Sequence, residues 1–340
     1  MQPKNTKKYI KTALSVLIIL MLCRPATAQN TRMAMHKPAR NLITHERLYS
    51  DISFLSDTLC QGRGAGTKGN TEAAFWIARR FEKAGLYRFE NSWGKTFRSS
   101  NGTVGHNIMG FLPGSSKRHP DSYVIVGAHF DHLGIIDGKV YPGADSNASG
   151  ISALVSLADM LSMTHSIGKS FSSNIIFVAF DGKELDMAGS HGVWEMISQG
   201  QLKDPVNGKT ISKDKITFMV NIDQIGSTLS PLDKNREDYI IMLGNPGLSR
   251  AYKDMLFACN EIYDLNMDIG LTYYGSENFT KMFYRLSDQR VFADNRIPAM
   301  MFTSGITMNN NKTWDTVSTL NMEVLQKRIF LMYHWLENML

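Results

Sequence analysis

Tyr123-Val124-Ile125-Val126-Gly127-Ala128 is a short apolar run that stops abruptly at His129-Phe130-Asp131-His132. Similar runs recur at Asn174–Phe180 (Asn-Ile-Ile-Phe-Val-Ala-Phe), Ile216–Ile222, Tyr239–Leu243 and Pro298–Thr303. A strand with one face in water alternates apolar and polar residues, whereas a strand buried on both faces reads as an unbroken apolar run. These runs therefore predict strands with both faces covered. The covering elements are visible between them: helical spacing over Glu46–Leu59, over residues 70–85 up to Gly85, over Ile151–Met163, over Gly189–Gln199 and over Met322–Leu340. The expected fold is α/β, with a doubly wound, largely parallel central sheet flanked by helices, in a single domain over 46–340. No internal repeat or low-complexity segment interrupts it.

The chain has 340 residues and a formal charge of +6, but the charge is concentrated at its start. Lys4, Lys7, Lys8 and Lys11 precede an uncharged stretch from Thr12 to Cys23, and Ala26-Thr27-Ala28 follows. That order describes a signal peptide over residues 1–28, with an apolar region too short to span a bilayer as a helix. Its removal, Arg24 included, lowers the charge from +6 to +1 and removes any argument for nucleic-acid binding. The expected protein is exported, periplasmic or secreted, with no transmembrane segment after cleavage and a flexible lead-in over residues 29–45. Cys60 and Cys259 remain and could pair in an oxidising compartment, but two cysteines do not make a disulfide framework.

The chemistry-bearing residues fall at the ends of the apolar runs. His129 follows the first, Glu184 follows Asn174–Phe180 after a short turn, and Asp223 directly follows Ile216–Ile222. Asp145 lies in Gly143-Ala144-Asp145-Ser146-Asn147-Ala148-Ser149-Gly150, leading into the next helix. In an open doubly wound sheet, ligands bind beyond the carboxyl ends of the strands. One imidazole and three carboxylates gathered there suit zinc or a similar divalent ion. Asp131 is placed to accept the second N–H of His129 and fix its tautomer. Singly, an Asp before a helix is an N-cap and a His after a strand is a core residue; the pattern in this order carries the metal reading. The glycine-rich Gln61–Gly69 stretch lacks the Lys-Ser ending of a phosphate-binding loop and is read as a structural turn.

In combination these segments resemble peptidase family M28, the zinc aminopeptidases and their relatives, from about Leu55 to the C-terminus. The resemblance rests on Gln61-Gly62-Arg63-Gly64, on residues 128–134, on Gly143–Gly150, on Phe177–Glu184, on Gly189-Ser190, on Asn221-Ile222-Asp223 and on Ile297-Pro298. It implies a zinc-exopeptidase-like fold, a peptide or protein substrate, and a pair of zinc ions. One ion would be held by His129 and Asp223, the other by Glu184 and a later histidine, with Asp145 bridging. The residue before Glu184 would be the general base that activates metal-bound water.

Two departures alter that expectation. Lys183 stands at the general-base position, and Asn311 at the position of the later histidine; Ser146 stands where a second Asp is usual. A protonated lysine has no lone pair to accept a proton, and loss of a general base costs about two to four orders of magnitude in rate. A neutral amide is a poor zinc ligand beside imidazole. The expectation is one zinc ion, with the second position compromised. Lys183 also brings positive charge to the neighbourhood that loses a dication: paired with Glu184 or Asp145 it would stand in for that ion, and extended into water it would not. Three functions follow: an exported metallopeptidase with weakened aminopeptidase activity, using Asp181, Asp186 or Glu277 as substitute base; an inactive peptide-binding relative with at most one zinc; and, third, an acyl transferase like the glutaminyl cyclases.

Overall fold

The computed structural model describes residues 36–115, 121–228, 236–245, 248–273 and 275–340. The expected signal peptide and the first residues of the lead-in lie outside the described residues. Ala39–Leu340 forms one compact unit. Its strands are β1 Gly94–Arg98, β2 Val104–Leu112, β3 Tyr123–His129, β4 Gly134–Ile136, β5 Lys139–Tyr141, β6 Asn174–Phe180, β7 Ile216–Ile222, β8 Tyr239–Gly244, β9 Asp268–Gly270 and β10 Ala299–Thr303. Its helices are α1 His45–Leu55, α2 Lys68–Lys83, α3 Ser149–Ser166, α4 Ala188–Ser198, α5 Arg250–Ile262, α6 Glu277–Tyr284, α7 Gln289–Asp294 and α8 Met322–Met339.

Eight strands form one sheet in the order β1-β2-β6-β3-β7-β10-β8-β9, and β4 and β5 make a separate hairpin. The central four, β6, β3, β7 and β10, run parallel, with His129 opposite Phe180 in the register. Pairing is antiparallel at β1–β2, β2–β6 and β10–β8. The sheet is therefore mixed, with a parallel centre where the site lies.

The apolar runs are unbroken because successive residues serve two different cores. Val124 and Val126 join Val220, Phe302, Leu154 of α3 and Trp335 of α8 on one face. Tyr123 and Ile125 join Val178, Met219, Val193 of α4 and Phe292 of α7 on the other. The starts of α1 and α2 are also written locally: Thr44 and Thr67 accept hydrogen bonds from Arg47 and Asn70 main-chain N–H groups, which the first turn leaves without partners.

The chain enters the core earlier than the lead-in reading allows, since Ala39 and Ile43 are fully buried. Cys60 and Cys259 are both buried free thiols, so the pairing left open by the sequence does not occur. The Gln61–Gly69 stretch is the expected structural turn. A side chain at Gly62 would collide with the Tyr141 and Gly134 carbonyls, and its φ of 66° favours glycine as well.

Candidate active site

His129 and Asp223 arrive together because β3 and β7 are parallel neighbours whose carboxyl ends lie at one edge. Both are buried, and His129 Nε2 is 3.3 Å from Asp223 Oδ1. Asn147 staples the two strand ends: its Nδ2 donates to the carbonyls of His129 (3.2 Å) and Ile222 (2.9 Å), and its Oδ1 accepts from Gln224 N at 2.9 Å. The two donor atoms sit at the spacing of one edge of a tetrahedral zinc site, about 3.3–3.5 Å for bonds of about 2.0–2.2 Å. The same 3.3 Å is the spacing of an ion-paired imidazole and carboxylate, and the two would hold a divalent ion only after Nε2 gave up its proton.

Asp131 acts differently from the expectation. His129 Nδ1 lies 3.0 Å from the main-chain oxygen of Asp131, while the carboxylate Oδ1 is 3.6 Å away. The imidazole is thus oriented by the main-chain oxygen of Asp131. The Asp131 carboxylate instead accepts hydrogen bonds from the main-chain N–H groups of Lys183 (2.9 Å) and Glu184 (3.0 Å), tying the β6 tip to the β3 tip.

Only one oxygen of the Asp145 carboxylate is hydrogen-bonded; the other, Oδ2, is buried without a partner among the described residues. Asp145 Oδ1 accepts from Gly226 N at 2.7 Å and Ser149 Oγ at 3.0 Å, and the Asp145 main-chain N–H donates to Asp315 Oδ1 at 3.0 Å. Burial, reinforced by Asp315, pushes its carboxyl up to about 7. Among the described residues, no three of His129, Asp145, Glu184 and Asp223 bring donor atoms within 4.8 Å of one another. The next residue, Ser146, is buried with its hydroxyl unpartnered.

On the β6 side, Lys183 Nζ makes an ion pair with Glu184 Oε1 at 3.0 Å. The lysine does not extend into water; its side chain is 16% exposed. Burial favours the neutral amine, but the charges of Asp223, Glu184 and Asp131 outweigh it and hold the ammonium above its ordinary range. The same network acts on His129: burial pulls its pKa down, Asp223 overrides that, and the net value is about 10. Asp223 is held well below the carboxylate range, because the charges of His129 and Lys183 overcome the cost of burying it.

Asn311 is exposed in the 304–316 loop with a left-handed φ of 57°. The loop is anchored by its neighbour Asp315, which is fully buried and receives the N–H groups of Asp145 and Ser146. The residues considered as substitute bases are unsuited. Asp181 is fully buried and already accepts from Asn70 Nδ2, His106 N and Gly182 N. Asp186 and Glu277 have side chains 85% and 86% exposed.

Two residues matter to the site that sequence patterns did not single out for it. Arg63 is fully buried and donates to the carbonyls of Leu55, Phe130, Pro142 and Gly143, joining the loop after His129 to the loop before Asp145. Its signal was the quoted Gln-Gly-Arg-Gly turn, whose arginine had no assigned partner. Asp288 is fully buried, pushed up to about 6 mainly by burial, and close enough to His129, Asp131 and Asp223 to feel their charges. Nothing in the local sequence marks it.

The description Peptidase family M28 matches residues 107–336. Aminopeptidase YwaD of Bacillus subtilis is 30% identical over 122 residues, which is 36% of this chain and only 22% of that protein. The fold is similar to BSAP, a zinc aminopeptidase from Bacillus subtilis, with a TM-score of 0.64 and 16% identity over 87% of this chain and 95% of that one. LapB from Legionella pneumophila gives 0.66 with 18% identity over 90% and 75%. The glutaminyl cyclase of Porphyromonas gingivalis gives 0.61 with 14% identity over 88% and 99%. At these identities the solved structures support the fold and not an activity, whereas the family match covers most of the chain. Zinc is the metal this kinship implies, and His129 and Asp223 are the two expected ligands that the structure brings together. The chain belongs to peptidase family M28.

Proposed function

We propose that this chain is an exported, metallopeptidase-like protein that receives peptide chain ends in the M28 cleft and hydrolyses them far more slowly than a two-zinc enzyme. The observation that carries this reading is Lys183. An ammonium stands at the position of the general base, paired with Glu184 at 3.0 Å and kept protonated by surrounding carboxylates. It can neither take a proton from water nor leave Glu184 free as a ligand. The His129–Asp223 pair would hold at most one zinc, which when bound would polarise an oxygen of the ligand. Around that pair, Asn147 and Asp131 fix the strand tips, and His129 is oriented through the Asp131 carbonyl.

Export is part of the proposal and rests on residues 1–28. No helix among the described residues is long and apolar enough to cross a membrane. Cyclase-like acyl transfer is not favoured, because the resemblance assigns it to the Glu184 side of the site, the side that Lys183 occupies.

Aminoacyl-nitroanilide hydrolysis tests the reading directly. The purified chain with zinc should turn over at least about a hundredfold more slowly than a variant carrying Lys183→Glu, Ser146→Asp and Asn311→His. Calorimetry should still detect peptide binding by the unmodified chain. Brisk hydrolysis by that chain, abolished by chelator, would refute the proposal.

A further inference from the structure

We infer that Lys183 is the resident cation of this site, so that the strand tips are electrostatically complete without a divalent ion. The inference rests on the reading of the site as peptidase-derived. It does not depend on how slowly the site turns over.

Three carboxylates face the lysine. Glu184 is in direct contact, and Asp223 and Asp131 are near enough to act on its charge. Asp131 is fully buried and Asp223 is 4% exposed, so neither can be neutralised by bulk water. In a protein interior an uncompensated carboxylate is strongly destabilising, and compensation must come from a fixed cation or from hydrogen-bond donors. Asp131 has two main-chain donors, and Asp223 has His129. Glu184 accepts from Lys183 Nζ.

The position of the ammonium is imposed from the backbone upward. Gly182 turns the chain with a φ of 70°, and Ala188 N donates to its carbonyl. The main-chain N–H groups of Lys183 and Glu184 are both committed to Asp131. The root of the lysine is therefore fixed at the β6 tip. A four-carbon stem could still reach water, yet the ammonium stays in, where it must give up much of its hydration. That choice is understandable only if the carboxylates around it gain more than it loses. A divalent ion drawn to Glu184 would have to displace the ammonium or sit beside it against like-charge repulsion.

Thermal unfolding and metal content of the full chain test this without reference to hydrolysis. The unmodified protein should unfold at the same temperature with and without chelator, shift by less than about 2 °C with zinc, and hold well under one zinc ion per chain. Lys183→Met keeps the stem and removes the charge. It should melt lower when metal-free and regain about 5 °C at a hundredfold excess of zinc over its dissociation constant. Lys183→Arg should behave as the unmodified protein. One or more tightly bound zinc ions in the unmodified chain, a chelator-sensitive melting temperature, or a Lys183→Met variant indifferent to zinc would each overturn the inference. Should Lys183→Met fail to fold, the chelator and zinc arms on the unmodified chain and on Lys183→Arg decide it alone. Slow hydrolysis with one tightly bound zinc per chain would sink this inference and leave the functional reading intact.

Discussion

The β3–β7 side of the site and the β6 side with its facing 304–316 loop have kept different things from the same fold. At the first, His129 and Asp223 converge to 3.3 Å, held by an asparagine that bonds both strand ends. At the second, an ammonium pairs with the one remaining carboxylate, and Asn311 turns outward on an exposed loop. The scaffold on the two sides is equally firm, since Asp131 and Asp315 are both fully buried and both receive pairs of main-chain N–H groups. What differs is only the side chains projected from it. A strand tip preserves a position faithfully, and the chemistry at that position is free to change.

The comparison can be broken at several points of decreasing force. Arg63→Met removes a buried guanidinium that joins four carbonyls across the loops beside His129 and Asp145. It should destabilise the fold by about 3–5 kcal/mol, read from the urea midpoint. A loss below about 1 kcal/mol would mean that the loops are held by something else.

Asp145 gives the next effect. Its carboxyl ionises near 4 in the unfolded chain and only at about 7 in the fold, where it is buried. Between those values the native state keeps a proton that the unfolded state has lost. Stability therefore falls as pH rises from about 4 to 7, by roughly 2–4 kcal/mol from this group, and remains at the lower level above pH 7. Asp145→Asn should flatten that slope when urea unfolding is compared at pH 5 and pH 8. An unchanged slope would show that Asp145 is ionised in the fold, as a metal bridge would require.

Asn311→Ala is the smallest and the sharpest. With the side chain exposed, stability should move by no more than about 0.5 kcal/mol and zinc affinity should not move at all. A fall in zinc affinity would place Asn311 in the site after all.

Much of the fold could be read from the unbroken apolar runs, because burial on both faces leaves no position for a polar residue. The parallel centre and helices α3, α4 and α8 follow from that. The antiparallel β1 and β2 did not, because β2 opens with Val104-Gly105-His106-Asn107 and lacks the apolar signature in its first half. Helix α5 buries only Leu256 and Cys259, too few to imprint a clear period. At the site, strand-end residues were legible and loop residues were not. His129, Glu184 and Asp223 leave strand tips whose direction the sheet fixes. The surroundings of Asp145 were not legible, because its Oδ1 is held by Gly226 and Ser149, partners that lie 81 and 4 residues away.

The sequence by itself determined that this chain folds as an M28 peptidase domain and that a lysine, Lys183, directly precedes Glu184, since hydrophobic pattern and side-chain type are local properties. Only the tertiary structure decided where each charge goes: Asp131 to the Lys183 and Glu184 amides, one oxygen of Asp145 to Gly226 and Ser149, Lys183 inward to Glu184. The physical reason is that electrostatics and hydrogen bonds act over a few ångströms between residues far apart in the chain, and their partners exist only once the sheet is assembled.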